Sequence, residues 1–136
     1  MIELKRKTIL IILAFVIIAV LAFMIMINRT NSNLEALAGQ PLAHLNLAEV
    51  NDGKYNGSYQ AFPVSAEVTV TVENHHITGI ELVEHNHGQG APGEKVIDQV
   101  LQDQTLQVDL VSGATYSSKV ILLAIEDAFK RNSIDQ

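Results

Sequence analysis

The sequence of 136 residues contains no cysteine. Disulfide bonds, thiolate metal sites, cysteine catalysis and lipoprotein processing at a cysteine are therefore excluded. The chain also lacks the Gly-x-x-x-x-Gly-Lys pattern of a phosphate-binding loop and the Gly-x-Gly-x-x-Gly fingerprint of nicotinamide-dependent enzymes. We therefore expect neither a P-loop nucleotide site nor a stand-alone nicotinamide-dependent oxidoreductase.

Basic residues are scarce over most of the chain. Residues 28–136 hold six Lys or Arg against fourteen Asp or Glu, a net charge of −8. A surface of this sign repels polyanions. We expect this part of the chain to bind neither nucleic acid nor anionic lipid.

One long apolar run does occur, at residues 9–27 (ILIILAFVIIAVLAFMIMI). As a helix it would be about 30 Å long, which matches the hydrocarbon core of a bilayer. Lys5, Arg6 and Lys7 precede the run, whereas only Arg29 follows it closely. The positive-inside tendency predicts a cytoplasmic stub and a transmembrane anchor at residues 1–28, with the remaining chain extracytoplasmic.

A cleaved signal peptide is the alternative interpretation of the same run. Its apolar core is usually about 7–15 residues long and is followed closely by small residues at the cleavage site. The run here is longer, and the Ala36-Leu37-Ala38 match lies nine residues beyond Ile27. These two features favour an uncleaved single-pass anchor.

The chain beyond the anchor predicts a short connector and one domain. The juxtamembrane connector is predicted at residues 29–51. It comprises a polar segment, at about 28–33, and an irregular segment, at 34–50. The domain is predicted at residues 52–133. Strands are predicted at 54–62, at 64–73, where apolar and polar residues alternate strictly, and at 76–85. Asn74 and His75 form the tight turn between the last two strands.

Helices are predicted after the strands. Residues 94–102 carry one apolar face, residues 105–110 (TLQVDL) are short and β-like or extended, and a last helix runs from Ala114 or Thr115 to Arg131. The predicted fold class is α+β, a small antiparallel sheet with helices packed on one face, preceded by one transmembrane helix.

The start of the last helix, SGATYSS at residues 112–118, has two interpretations. Ser112 or Thr115 could cap the helix by accepting a hydrogen bond from a backbone N–H group. Alternatively, the unpaired N–H groups of the helix start could bind an anion such as phosphate. Spacing alone favours the cap.

Residues 109–118 (DLVSGATYSS) resemble the flavinylation motif of the FMN-binding domain family. This family includes flavin subunits of sodium-pumping and Rnf-type respiratory complexes and small membrane-anchored extracytoplasmic flavoproteins. The resemblance extends over about residues 52–130, because DGKYNGSY, the hairpin and the helix before the motif follow in the same order. That breadth makes it more specific than a short motif match.

The resemblance implies a covalently bound FMN cofactor. Thr115 would be esterified to the FMN phosphate by a separate flavin transferase that uses FAD. Asp109, Ser112, Gly113 and Ala114 would belong to the pattern that the transferase recognises. The protein would then be an electron carrier between a membrane donor and an extracytoplasmic acceptor, without catalytic residues of its own.

Four histidines lie near the predicted hairpin: His75, His76, His85 and His87. We expect His85, Asn86 or His87 to border the flavin, with the glycines up to Gly90 allowing close approach. His85 and His87 could chelate a metal if both rings reached one side of a strand, but no carboxylate or third histidine has a recognisable ligand spacing. We therefore predict no metal site.

Two other functions remain open at this point. The domain could hold FMN non-covalently, as a sensor or carrier, or it could be a flavin-free adaptor for a membrane partner. Tyr116 follows the proposed attachment residue directly, but it points about 100° away from Thr115 on a helix. It could be a flavin neighbour or simply a partly exposed tyrosine.

Overall fold

The computed structural model describes residues 1–132, except the side chain of Asn132, and divides the chain at Asn33 into two units. The predicted domain end at residue 133 lies outside the described residues. The first unit, Met1–Asn33, is helical from Ile2, and the side chains of residues 9–27 are exposed all round. This helix is long and apolar enough to cross a membrane by length and composition.

Helix α1 (Ile2–Gly39) continues through the segment that we predicted as a polar linker and into the predicted irregular connector. The prediction of an irregular connector is therefore wrong for residues 34–39, and the polar segment 28–33 is helical. The hydroxyl of Thr30 donates to the carbonyl of Met26 and that of Ser32 to the carbonyl of Asn28, so these polar side chains are satisfied within the helix. The helix ends at Gly39, two residues before Pro41.

The second unit contains a three-stranded antiparallel sheet in the order β1-β2-β3. The strands are β1 (Gly53–Ala61), β2 (Val64–Glu73) and β3 (His76–Asn86), which confirms the three predicted strands. Asn74 and His75 have φ angles of 52° and 62°, the left-handed values of a type I′ hairpin turn. A cis peptide bond between Phe62 and Pro63 lies in the other connection.

One face of the sheet is covered by helix α3 (Thr115–Asn132), which packs across β1 and β2. The alternating apolar residues of β2 are buried: Val64, Ala66, Val68, Val70 and Val72. A side chain at Gly57 would place its Cβ 2.1 Å from the carbonyl oxygen of Ala124, so β1 and α3 approach each other closely at this glycine. The predicted α+β class is confirmed.

Helix α2 (Val96–Asp103) follows a 3-10 turn at Ala91–Lys95 and packs against β3 and α3. The segment after it, predicted as β-like or extended, forms no strand. Instead, the side-chain amide of Gln104 pairs with the backbone of Ile77, with N···O distances of 2.7 and 3.0 Å. The Gln104 amide thus occupies the N–H and C=O groups of the β3 edge that a further strand would use for pairing. The side chain of Leu106 is buried in the core and holds the segment in place.

The connector between α1 and β1 packs on the domain. Leu45, Leu47 and Val50 are partly buried and pack against the hydrophobic core. The backbone N–H of Ala43 donates to the carboxylate of Glu126 at 2.9 Å. These contacts place a buried carboxylate of α3 beneath the connector.

Candidate functional site

Ser118, which the sequence did not indicate as a capping residue, connects the first turn of α3 to the segment before it. The hydroxyl of Ser118 accepts a hydrogen bond from the N–H of Val111 at 3.1 Å and donates one to the carbonyl of Ala114 at 2.9 Å. Ser118 is completely buried. Within residues 1–132, the hydroxyls of Ser112 and Thr115 make no such bond, so the predicted side-chain cap by either residue is wrong.

The helix start therefore presents free backbone donors. The N–H of Ala114 bonds to Val111 and that of Ser118 to Ala114, but no acceptor among the described residues faces the N–H groups of Thr115, Tyr116 and Ser117. Gly113 adopts a left-handed φ of 78°, which turns the chain into the helix. Unpaired N–H groups and the positive end of the helix dipole together favour an anion here.

A cleft of about 190 Å³ adjoins these donors. Thr115 and Tyr116 are exposed, whereas Ala114 is buried beneath them. The residues that line the cleft come from the start of β2, the loop after β3 and the start of α3: Val64, His87, Gln89, Gly90 and residues 113–117. The Thr115 hydroxyl thus lies at the edge of a small, open cleft.

The loop after β3 packs directly on α3. A side chain at Gly90 would place its Cβ 2.2 Å from the Oγ of Ser117, and one at Gly93 would lie 2.7 Å from the Cβ of Ser117. The loop is closed by hydrogen bonds from Gly90 to His87 and from Gly93 to Gly90. The close approach at Gly90 is one to Ser117, and its proximity to the flavin stays a prediction.

His85 joins this loop to the helix. Its side chain is only 3% exposed, and both ring nitrogens have partners: Nε2 lies 2.8 Å from the Oγ of Ser117 and Nδ1 lies 3.0 Å from the carboxylate of Glu94. The ring of His87 lies 4.4 Å from that of His85, centroid to centroid. Both rings therefore reach one side of the strand end, the condition that we set for metal chelation.

The predicted site residues do not all meet. His85 contacts the helix that begins at Thr115, and Gly113 and Ala114 line the cleft. Asn86 points elsewhere, since its side-chain amide donates to Ser65 and Glu84 and lines a separate cavity of about 450 Å³. Successive side chains of a strand point to opposite faces, which explains the separation of Asn86 from His85.

Asp109 and Ser112 are exposed and lie before the helix. Within the described residues, neither side chain makes a hydrogen bond or ion pair. Exposed side chains without partners in the described chain are compatible with recognition by another protein. Their role in transferase recognition stays a prediction.

His75 lies in the β2–β3 turn and His76 begins β3, at the opposite end of the hairpin from His85. The Nδ1 of His75 lies 3.2 and 3.1 Å from the carbonyl oxygens of Leu47 and Val50, so this ring contacts the connector. The Nδ1 of His76 lies 2.9 Å from the carbonyl oxygen of Asn74, and neither histidine lines the cleft.

Lys119 lies one turn after Thr115 on α3, and it is 7% exposed. Burial lowers the pKa of its ammonium group below the ordinary value, and the nearby Glu126 carboxylate partly counteracts this by raising it. Glu126 is itself buried, bonded to the N–H of Ala43 and paired with Lys130. The Glu126 carboxylate thus attracts the Lys119 ammonium group, pairs with the exposed Lys130 and accepts a hydrogen bond from the connector.

A comparison of the sequence with protein families shows to which family this chain belongs. The family described as FMN-binding domain matches residues 62–130, about half of the chain, from the connection between β1 and β2 to the last turn of α3. The chain belongs to the FMN-binding domain family. Its cofactor is FMN, and the resemblance seen in the sequence is confirmed.

One curated relative is the NADH:acrylate oxidoreductase of Vibrio harveyi, which is 30% identical over 103 residues. The match covers 72% of this chain but 10% of the relative, so the chain spans about a tenth of that protein's length. No solved structure matches the chain. The family and this relative support an FMN-binding electron-transfer role.

The residues at the start of α3 fit the phosphate of FMN. Three unpaired N–H groups and the helix dipole are suited to a phosphate, and the Thr115 hydroxyl lies beside them. The cleft of about 190 Å³ is smaller than the roughly 300–1,000 Å³ of sites that enclose a small ligand. We therefore expect the cleft to hold the phosphate end and leave much of the flavin outside it.

Proposed function

We propose that this protein is a membrane-anchored electron carrier whose FMN is joined by a phosphoester bond to the hydroxyl of Thr115. The observation that carries the proposal is the exposed Thr115 at the first position of α3, next to N–H groups without an acceptor in the described chain. This arrangement offers a reacting hydroxyl and a phosphate site at the same place.

Attachment requires a flavin transferase with FAD as the donor. The Thr115 oxygen forms a bond to the phosphorus atom of the FMN half, the bond to the bridging oxygen of the pyrophosphate breaks, and AMP leaves. A threonine hydroxyl is a weak nucleophile without a base. His85 is occupied by Ser117 and Glu94, so the transferase supplies the base that takes the hydroxyl proton.

After attachment, the chain's own residues hold and orient the group. The N–H groups of Thr115, Tyr116 and Ser117 donate to the phosphate oxygens, and the helix dipole offsets the repulsion from the acidic domain. His85 fixes Ser117, and Ser118 fixes the loop before the helix, so this donor set is rigid. FMN supplies the redox chemistry, accepting and donating one or two electrons.

The same proposal places the domain outside the cytoplasm, between a membrane electron donor and an extracytoplasmic acceptor. The apolar run within α1 and the basic residues before it support this orientation. A covalent bond prevents loss of the cofactor from a compartment in which free FMN would not be replaced. The Vibrio harveyi relative is an NADH:acrylate oxidoreductase, which is consistent with electron transfer.

The test is co-expression of the full chain with a flavin transferase, followed by denaturation. We expect a mass increase of FMN minus water and flavin fluorescence that stays with the denatured band. Thr115→Ala should abolish both signals. Thr78→Ala, at an exposed threonine on β3, is the matched control and should keep them.

Other results would identify other functions. Yellow protein that loses its flavin on denaturation indicates a non-covalent FMN module, and Thr115→Ala would then weaken binding without abolishing it. A colourless protein in the presence of active transferase would contradict the whole proposal.

A further inference from the structure

Three side chains that can ligate a metal converge where β3 ends. His85 and His87 come from the strand end and the residue after it, and Glu94 comes from the 3-10 turn. One ligand atom from each residue lies within 4.8 Å of the other two. We propose that His85, His87 and Glu94 bind a divalent transition-metal ion of the zinc type.

The hydrogen bond of His87 leaves one of its ring nitrogens available to bind a metal. The Nδ1 of His87 lies 3.0 Å from the carbonyl oxygen of Gly88. A carbonyl only accepts, so Nδ1 carries the proton and Nε2 keeps a free lone pair. A metal-bound histidine commonly donates its other N–H to a backbone carbonyl in this way.

In His85, both ring nitrogens have hydrogen-bond partners, and Nδ1 is the nitrogen that faces Glu94. Its Nδ1 faces the Glu94 carboxylate at 3.0 Å, and its Nε2 faces the Ser117 hydroxyl at 2.8 Å. Metal binding at Nδ1 replaces the hydrogen bond to the carboxylate and requires the tautomer of the neutral ring that carries its proton on Nε2. The Nε2–H group then donates to the oxygen of Ser117, which orients the ring from outside the metal site.

The spacing suits a four-coordinate ion. Zinc bonds of roughly 2.0–2.2 Å to nitrogen and oxygen place neighbouring ligand atoms about 3.4 Å apart. The 3.0 Å between His85 and Glu94 is close to this value. His85, 3% exposed, is fixed, while Glu94, 45% exposed, has room to adjust around the ion.

The ligand chemistry indicates the class of metal. Two imidazoles and one carboxylate suit zinc and neighbouring transition metals, whereas magnesium prefers oxygen ligands and keeps several waters. Three protein ligands leave a fourth position for water or another group. The ion would join the end of β3 to the loop that packs on Ser117, and His87 also lines the cleft beside Thr115.

The experiment uses the flavin-free full chain in detergent, purified without a polyhistidine tag. Zinc binding is measured by equilibrium dialysis with elemental analysis and by calorimetry, with magnesium as the comparison ion. We expect one zinc per chain and no binding of magnesium at the same concentration. Flavin-free protein keeps the result independent of Thr115 and its cofactor.

Two ligand variants and one control make the test specific. His87→Ala and Glu94→Gln alter partly exposed and exposed side chains, and each should weaken zinc binding by more than the roughly 10- to 100-fold that loss of an outer contact costs. His76→Ala, at an exposed histidine in the distant turn, should bind zinc like the parent chain. No bound zinc in the parent, equal binding in the ligand variants, or an equal loss in the control would each overturn the proposal. Circular dichroism of each variant confirms that it is folded.

Discussion

The Nε2 atom of His85 lies 2.8 Å from the Oγ of Ser117, and this contact joins the end of β3 to the first turn of α3. Both side chains are buried, and Glu94 holds the other side of the imidazole. The contact sets the distance between the loop carrying His87 and the helix start carrying Thr115. The geometry of the helix start at Thr115, the proposed attachment residue, therefore depends on residues more than twenty positions earlier in the chain.

We predict that Ser118→Ala destabilises the domain. The change leaves the N–H of Val111 without its acceptor in a partly buried position, which costs about 1–3 kcal/mol. The measurement is chemical denaturation of the flavin-free full chain, followed by tyrosine fluorescence. Ser112→Ala, at an exposed serine without a hydrogen bond in the described structure, should stay within about 0.5 kcal/mol of the parent. Equal stabilities of the two variants would refute the role given to Ser118.

Gly90→Ala should also reduce the free energy of unfolding, because its Cβ would overlap the Ser117 hydroxyl. The 2.2 Å separation forces the loop or the helix to move, and such overpacking costs typically about 1–3 kcal/mol. Gly39→Ala is the control, since no atom lies within 4 Å of its added Cβ. Denaturation curves of both variants check this. An unchanged midpoint for Gly90→Ala would mean that the loop does not pack on Ser117 as described.

Lys119 should make stability depend on alkaline pH. Its pKa is lowered in the folded chain, so between that lowered pKa and about 10.5 the unfolded chain binds more protons than the folded one. The free energy of unfolding therefore rises with pH in this window and is flat, for this group, below the folded pKa. Lys119→Met removes the titrating ammonium group and with it this contribution to the pH dependence of the unfolding free energy.

The check is the difference in unfolding free energy between the parent and Lys119→Met across the alkaline range. The parent should gain stability relative to the variant as pH rises through the window. Parallel curves would show that burial does not perturb the Lys119 ammonium group. Other titrating groups are common to both proteins and cancel in the difference.

The absence of cysteine allows a direct test of topology. Single cysteines introduced by Glu3→Cys and Glu81→Cys lie at exposed positions on the two sides of the apolar run. In spheroplasts or protoplasts, a membrane-impermeant maleimide should label the second variant, and should label the first only after lysis. Labelling of the position-81 variant only after lysis would contradict the extracytoplasmic placement, and a mature chain without residue 3 would indicate a cleaved signal peptide.

The site was predictable to different degrees. The motif around Thr115 could be found from local sequence, because the helix start and the glycine before it are contiguous. Glu94 could not, since it reaches His85 through an irregular loop and a 3-10 turn that carry no periodic pattern. Ser117 stood within the motif, but its contact with His85 depends on the close packing of Gly90 and Gly93.

The sequence alone determined the membrane-compatible helix, the strands of the hairpin, the tight turn at Asn74 and His75, and the start of α3. These features follow from residue patterns that match the periods of a helix and a strand and from local turn preferences. The tertiary structure decided that Gln104 pairs with Ile77 in place of a fourth strand, that Asn86 turns away from the cleft, and that Glu94 meets His85. These outcomes depend on how separate elements pack, and packing is set by contacts between residues that are distant in sequence.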